Sequence, residues 1–178
     1  MLKTLRQIAS IGIVSEPPPQ GDESLCVRTG LQDQIRAVLG RALCIRHVDA
    51  GSCNGCELEI HALNNPLYNL EGLGIRFVAS PRHADMLLVT GPVSRHMEVA
   101  LRRTYAATPD PKLVVALGDC GCTGGIFGQS YASCGRVANV IPVDVEIPGC
   151  PPAPTRILQG ILGALSRSPV GAEQAQEL

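Results

Sequence analysis

The sequence predicts an α/β sandwich around a mostly parallel sheet, and three observations carry that prediction. Runs such as "ADMLLVTG" (84–91) and "PKLVVALG" (111–118) hold a continuous apolar stretch, the pattern of a parallel strand covered on both faces rather than of a half-wet one. Stretches of helical period lie between such runs. The resulting order, β-α-β-β-α-β-β-α, is the alternation that builds layered α/β domains.

Taken in order, residues 1–42 precede that alternation. Leu2, Leu5, Ile8 and Ile11 recur at helical spacing beside Lys3 and Arg6, which predicts an amphipathic helix that docks against protein or lies at a membrane interface. "SEPPPQGDES" (15–24) reads as an extended linker, because proline runs favour polyproline II. "LQDQIRAVLGR" (31–41) reads as a short helix.

The α/β domain is expected over residues 43–166. "ALCIRHV" (42–48) is a strand, followed by a cysteine-bearing loop and a helix over about 56–70. "GIRFVAS" (74–80) and "ADMLLVTG" are strands, and "VSRHMEVALRRTYAA" (93–107) is a helix. "PKLVVALG" is a strand, and "VIPVDVEIPG" (140–149) contains the last one. "PAPTRILQGILGAL" (152–165) closes the domain as a helix, with proline early in it where a missing amide is tolerated. Residues 167–178 read as a flexible tail, and no internal repeat is present.

Composition excludes several classes. The net charge is −1 and the chain has no Trp, two Phe and three Tyr, so neither electrostatics nor base stacking favours nucleic acid. No run approaches the roughly 20 apolar residues that span a bilayer. The N-terminal stretch lacks a small-residue cleavage site before "PPPQ", so secretion is not expected. Eight cysteines in such a chain read as thiolates for metal or redox work rather than as a disulfide framework.

Their positions sharpen that reading. Cys53 and Cys56 follow the first strand in "GSCNGCELEI", Cys120 and Cys122 follow "LVVALG", and Cys150 follows "VDVEIPG". Open α/β sheets bind ligands outside the carboxyl ends of their strands, so three strand ends deliver cysteine to one edge. Glycines flank each group and let backbone approach a bulky centre. Pro148, Pro151 and Pro152 stiffen the last loop. Such thiolate delivery suits a 4Fe-4S site. A structural zinc site would use four thiolates but normally two compact knuckles, and a redox pair would leave "IPGCPP" without a role. Cys26 and Cys44 read as inert; Cys134 stays open between core and site.

"GSCNGCELEI", "SPRHADMLLVTGPV", "ALGDCGCTGGIFG" and "IPVDVEIPGCPPAP" together resemble the family that unites the 20-kDa subunit of complex I with the small subunits of nickel–iron hydrogenases. The resemblance runs over about residues 43–165. It implies a flavodoxin-like three-layer sandwich that holds one 4Fe-4S cluster at the strand C-terminal edge, through Cys53, Cys56, Cys120 and Cys150. Cys122 is the rival for the third place. The C-N-G-C spacing is similar to membrane-bound, energy-converting hydrogenases of the formate hydrogenlyase type, whereas complex I proper typically has adjacent cysteines.

The family further implies an oxidoreductase subunit that transfers electrons. Its partners would be a hydrogenase- or complex I-like large subunit, a ferredoxin-like iron–sulfur subunit and membrane subunits. It would lie on the inner, cytoplasmic face of the membrane. The large subunit would hold either a nickel–iron site or a quinone pocket. A non-catalytic scaffold is the alternative from another class. Glu57 and Glu59 fit the first turn of a helix, where acids meet the dipole favourably; Asp119 and these two are also placed to couple protons to electrons. By analogy with the family His83 lies near the partner, or else it is a loop histidine bonding backbone. Arg76, Arg82 and Arg95 read as solvated charges, with ion pairs across a subunit interface as the alternative.

Overall fold

The computed structural model describes residues 40–166 and, upstream, Arg6, Asp33, Ile35 and Ala37. The expected N-terminal helix, proline-rich linker and tail lie outside the described residues, apart from Arg6. In the stretch expected as a helix over 31–41, Asp33, Ile35 and Ala37 are helical, and Ile35 is buried in the core.

The sheet contains β1 (Leu43–Asp49), β2 (Ile75–Phe77), β3 (Met86–Thr90), β4 (Leu113–Leu117) and β5 (Val145–Ile147). Its order is β2-β1-β3-β4-β5, and every pairing is parallel. This is the doubly wound, flavodoxin-like order, whose reversal beside β1 opens a crevice at the carboxyl edge. In β3 and β4 every residue is buried, as their unbroken apolar runs require. Register alternates the side chains between two cores: Ile45 opposite Met86 serves one face, and Val48 opposite Val89 the other.

The helices are α1 (Gly55–Ala62), α2 (Arg95–Ala107), α3 (Gly118–Thr123) and α4 (Pro154–Ser166). Ile60 of α1 and Ile157, Ile161 and Leu165 of α4 share a core with Leu88 and Val115. Leu101 of α2 and Cys122 of α3 share the opposite core with Val89 and Ala116. Three layers result, as expected.

Local chemistry moved some boundaries. The helix expected over 56–70 ends at Ala62, because Asn64, Asn65 and Pro66 favour a turn. The Asn65 side chain accepts a bond from the Tyr68 amide at 3.0 Å, and a short 3-10 turn at Glu71–Leu73 leads into β2. Helix α3 was read as loop; its "GDCGCT" sequence has two glycines and no helical apolar period. Pro154 opens α4, where its fixed φ suits the first helical position.

Candidate iron–sulfur site

Each thiol is delivered by a different local device. At the end of β1, Asp49 Oδ1 accepts from the Gly51 and Ser52 amides, both at 2.8 Å, and curls the chain beneath Cys53. Asn54 then takes a left-handed φ of 70°, a conformation that asparagine tolerates better than most residues. This turn separates Cys53 from Cys56, which begins α1. The bend after β3 is equally tight: Gly91 has φ +77°, and a Cβ there would lie 2.5 Å from the Ser52 amide nitrogen.

Two later loops complete the arrangement. Helix α3 starts directly at the end of β4 and carries Cys120. The Asp119 amide donates to Gly149 O, and the Gly149 amide donates back to Asp119 Oδ1, both at 2.8 Å. This reciprocal clamp ties α3 to the loop that presents Cys150. Asp119 therefore has a structural task that its neighbours in sequence did not reveal.

Cys53, Cys56, Cys120 and Cys150 line one cavity of about 140 Å³ at the carboxyl edge, together with Gly91 and Asp119. Glycine is required in its walls. A Cβ at Gly118 would lie 2.6 Å from Cys56 Sγ, and one at Gly125 would lie 2.8 Å from Cys120 Sγ. Among the described residues no three His, Cys, Asp or Glu side chains are grouped to hold a single metal ion. The four thiols line one common space, a donor set that fits a 4Fe-4S cluster.

The electrostatics agree with that donor set. Burial pushes the Cys56 thiol up to about 12, and Glu57 and the other three cysteines add to the rise. Burial also raises Cys120, followed by Cys150, Cys53 and Asp119. Four thiolates this close repel one another, so they deprotonate together only around a cationic centre that offsets their charge. The residues present thus fit an iron–sulfur centre.

The remaining cysteines lie elsewhere. Cys122 is 3% exposed in the core under α2 and α3, with its thiol 3.5 Å from Ala116 O. Cys134 belongs to the same core, its thiol donating to Glu98 Oε2 at 3.3 Å. Cys44 lies near the start of β1, at the far edge of the sheet; Cys26 is outside the described residues. Glu57 is buried in the first turn of α1, whereas Glu59 is partly exposed. His83, Arg76, Arg82 and Arg95 are exposed, and Arg95 pairs with Glu98 at 3.3 Å along its own helix. Gly91 and the Asp119 clamp escaped the sequence reading; the Gly-Pro pair after "LLVT" was the available signal for the former.

Comparison with known proteins places this geometry. The chain is 46% identical over 134 residues to "Probable membrane-bound hydrogenase subunit mbhJ" of Pyrococcus furiosus, covering 75% of this chain and 80% of that one. It is 44% identical over 149 residues to formate hydrogenlyase subunit 7 of Escherichia coli, covering 83% of this chain and 57% of that one. A solved chain of the membrane-bound sulfane sulfur reductase, an archaeal respiratory membrane complex, superposes with a TM-score of 0.62 at 30% identity. That match covers 84% of this chain and 89% of the other. Relatives of this kind make the chain a subunit of a multi-subunit oxidoreductase complex. Residues 53–164, which contain all four cavity thiols, match the model of the NADH ubiquinone oxidoreductase 20 kDa subunit, and the chain belongs to that family.

Proposed function

We propose that the protein is the electron-transfer subunit of a membrane-associated, nickel–iron hydrogenase-like complex, holding one 4Fe-4S cluster through Cys53, Cys56, Cys120 and Cys150. The observation that carries the reading is the single cavity lined by these four thiols, drawn from three strand ends. The cluster would supply one-electron chemistry, its potential tuned by burial and by hydrogen bonds to sulfur. The chain's own part is to hold the thiolates rigidly and to limit water at them. The Asp119–Gly149 clamp fixes the relative position of the Cys120 and Cys150 segments.

Electrons would pass between a partner iron–sulfur subunit and an active site in the large subunit. The rim beside the cavity supports such a docked neighbour. Past Gly125, which lies against Cys120, the loop exposes Ile126 at 94%, Phe127 at 56% and Tyr131 at 98%. Large apolar side chains grouped on one loop are a common signature of protein contact. Among the described residues no helix is long and apolar enough to cross a membrane, so attachment to the inner face would run through membrane subunits.

Anaerobic purification of the whole complex, followed by metal analysis and electron paramagnetic resonance, tests the reading. Against the same complex carrying Cys150→Ser, the wild type should hold four more irons and four more sulfides per copy of this chain, with one additional reducible signal. Loss of one zinc per copy in Cys150→Ser, with iron and the reducible signals unchanged, would establish a zinc scaffold instead.

A further inference from the structure

A second cavity, of about 430 Å³, lies between β1, α1 and the segment that follows β2. Its walls include Arg46, His47, Asn54, Glu57, Ile60 and Phe77. Glu57 is the residue the fold leaves unexplained. Its side chain is only 9% exposed, and neither carboxylate oxygen has a hydrogen-bond partner. The Nε of Arg46, in the same cavity, is buried without a partner as well.

The neighbouring imidazole does not resolve this. His47 Nε2 stands 3.5 Å from Glu57 Oε1 but is bonded to Thr90 Oγ1 at 3.0 Å. Burial also holds His47 below its ordinary value, against the pull of Glu57. A buried carboxylate whose oxygens accept no hydrogen bond is costly, and the amino end of an eight-residue helix returns only a part of that cost.

We propose that this cavity is a socket for a lysine or arginine side chain from a neighbouring subunit, which pairs with Glu57. The walls suit that occupant. Ile60 and Phe77 offer apolar surface to a methylene stem, while the carboxylate meets the charged head. A backbone carbonyl on the same incoming segment satisfies Arg46 Nε. A bare metal ion does not fit, because no group of His, Cys, Asp or Glu among the described residues is placed to hold one. The inference rests on the chain's place in a multi-subunit complex and not on the cluster.

The test uses the assembled complex, captured through a tag on another subunit and washed with increasing salt. Retention of this chain and its iron content are measured for wild type, E57Q, E57D and R46Q. E57Q should weaken retention by about tenfold or more, as loss of one partner of a buried interfacial pair does, with iron per retained chain unchanged. E57D, which keeps the charge, should hold better than E57Q, and R46Q should lose less. E57Q retained like wild type would overturn the socket, as would equal losses from R46Q and E57Q, which would mark an internal Arg46–Glu57 pair. Loss of iron from E57Q before dissociation would overturn it too, by tracing the effect to Cys56. Iron and paramagnetic signals of the wild-type complex unchanged by Cys150→Ser would defeat the cluster reading alone and leave the retention comparison standing.

Discussion

Cys120 and Cys122 sit two residues apart on α3, yet one thiol lines the carboxyl-edge cavity and the other is packed in the core beneath it. Two helical steps turn a side chain through roughly 200°, so one short helix can serve cavity and core at once. Proton affinity does not separate such sites. Burial pushes Cys56 in the cavity and Cys122 in the core to about the same value, near 12. Cys56, however, has three further thiols around it, whereas the carboxylates of Glu146 and Asp119 are the charges that act on Cys122. What distinguishes a cavity thiol from a core thiol here is company and direction rather than acidity.

The most severe way to break this comparison is to exchange the two positions. Cys120→Ser in the assembled complex should abolish or alter the cluster, read as lost iron and a changed paramagnetic signal. Cys122→Ser should keep the full iron content, with a stability loss of about 1 kcal/mol. The reverse pattern would make Cys122 the ligand.

A gentler perturbation probes the cavity wall. Gly118→Ala adds a Cβ 2.6 Å from Cys56 Sγ at φ +81°, so about 1–3 kcal/mol of strain should come with reduced iron. Gly128→Ala is its control: φ there is +54°, but nothing lies within 4 Å of the added carbon. Strain of about 1 kcal/mol with normal iron is expected, measured by thermal melting beside iron assay. Equal iron loss in both variants would show that backbone strain, and not contact with the thiol, controls loading.

The smallest effect concerns the clamp. Asp119→Ala leaves the partly exposed Gly149 amide without its 2.8 Å acceptor, a loss of about 1 kcal/mol. The Asp119 N–H to Gly149 O bond survives, so iron should remain but leave faster when chelator is added. A chelation rate equal to wild type would remove the clamp from any role in holding the Cys150 loop.

The residues of the sequence that were easiest to read are those whose neighbours repeat a pattern. β3 and β4 were legible because four and five consecutive apolar residues, Met86–Val89 and Leu113–Leu117, run through them, and α4 because its apolar period follows an early proline. β2 was expected over 74–80 and has three residues, since an edge strand pairs on one side only, whereas β5 lies within the stretch expected to contain it. Helix α3 was not legible, because two glycines and two cysteines in six residues carry neither propensity nor period. Its existence depends on tertiary contacts with β3, β4 and β5.

By itself the sequence determined the parallel α/β domain and the delivery of cysteines to three strand ends, because apolar runs and glycine-flanked thiols are local properties. It left Cys122 as a rival to Cys120, and Glu57, Glu59 and Asp119 without settled roles. Only the tertiary structure decided those placements. Helical phase turned Cys122 into the core, a two-way hydrogen-bond clamp engaged Asp119, and the first turn of α1 buried Glu57 beside His47 without a hydrogen bond. Each outcome depends on which distant segment lies opposite, a property that residue spacing along the chain does not encode.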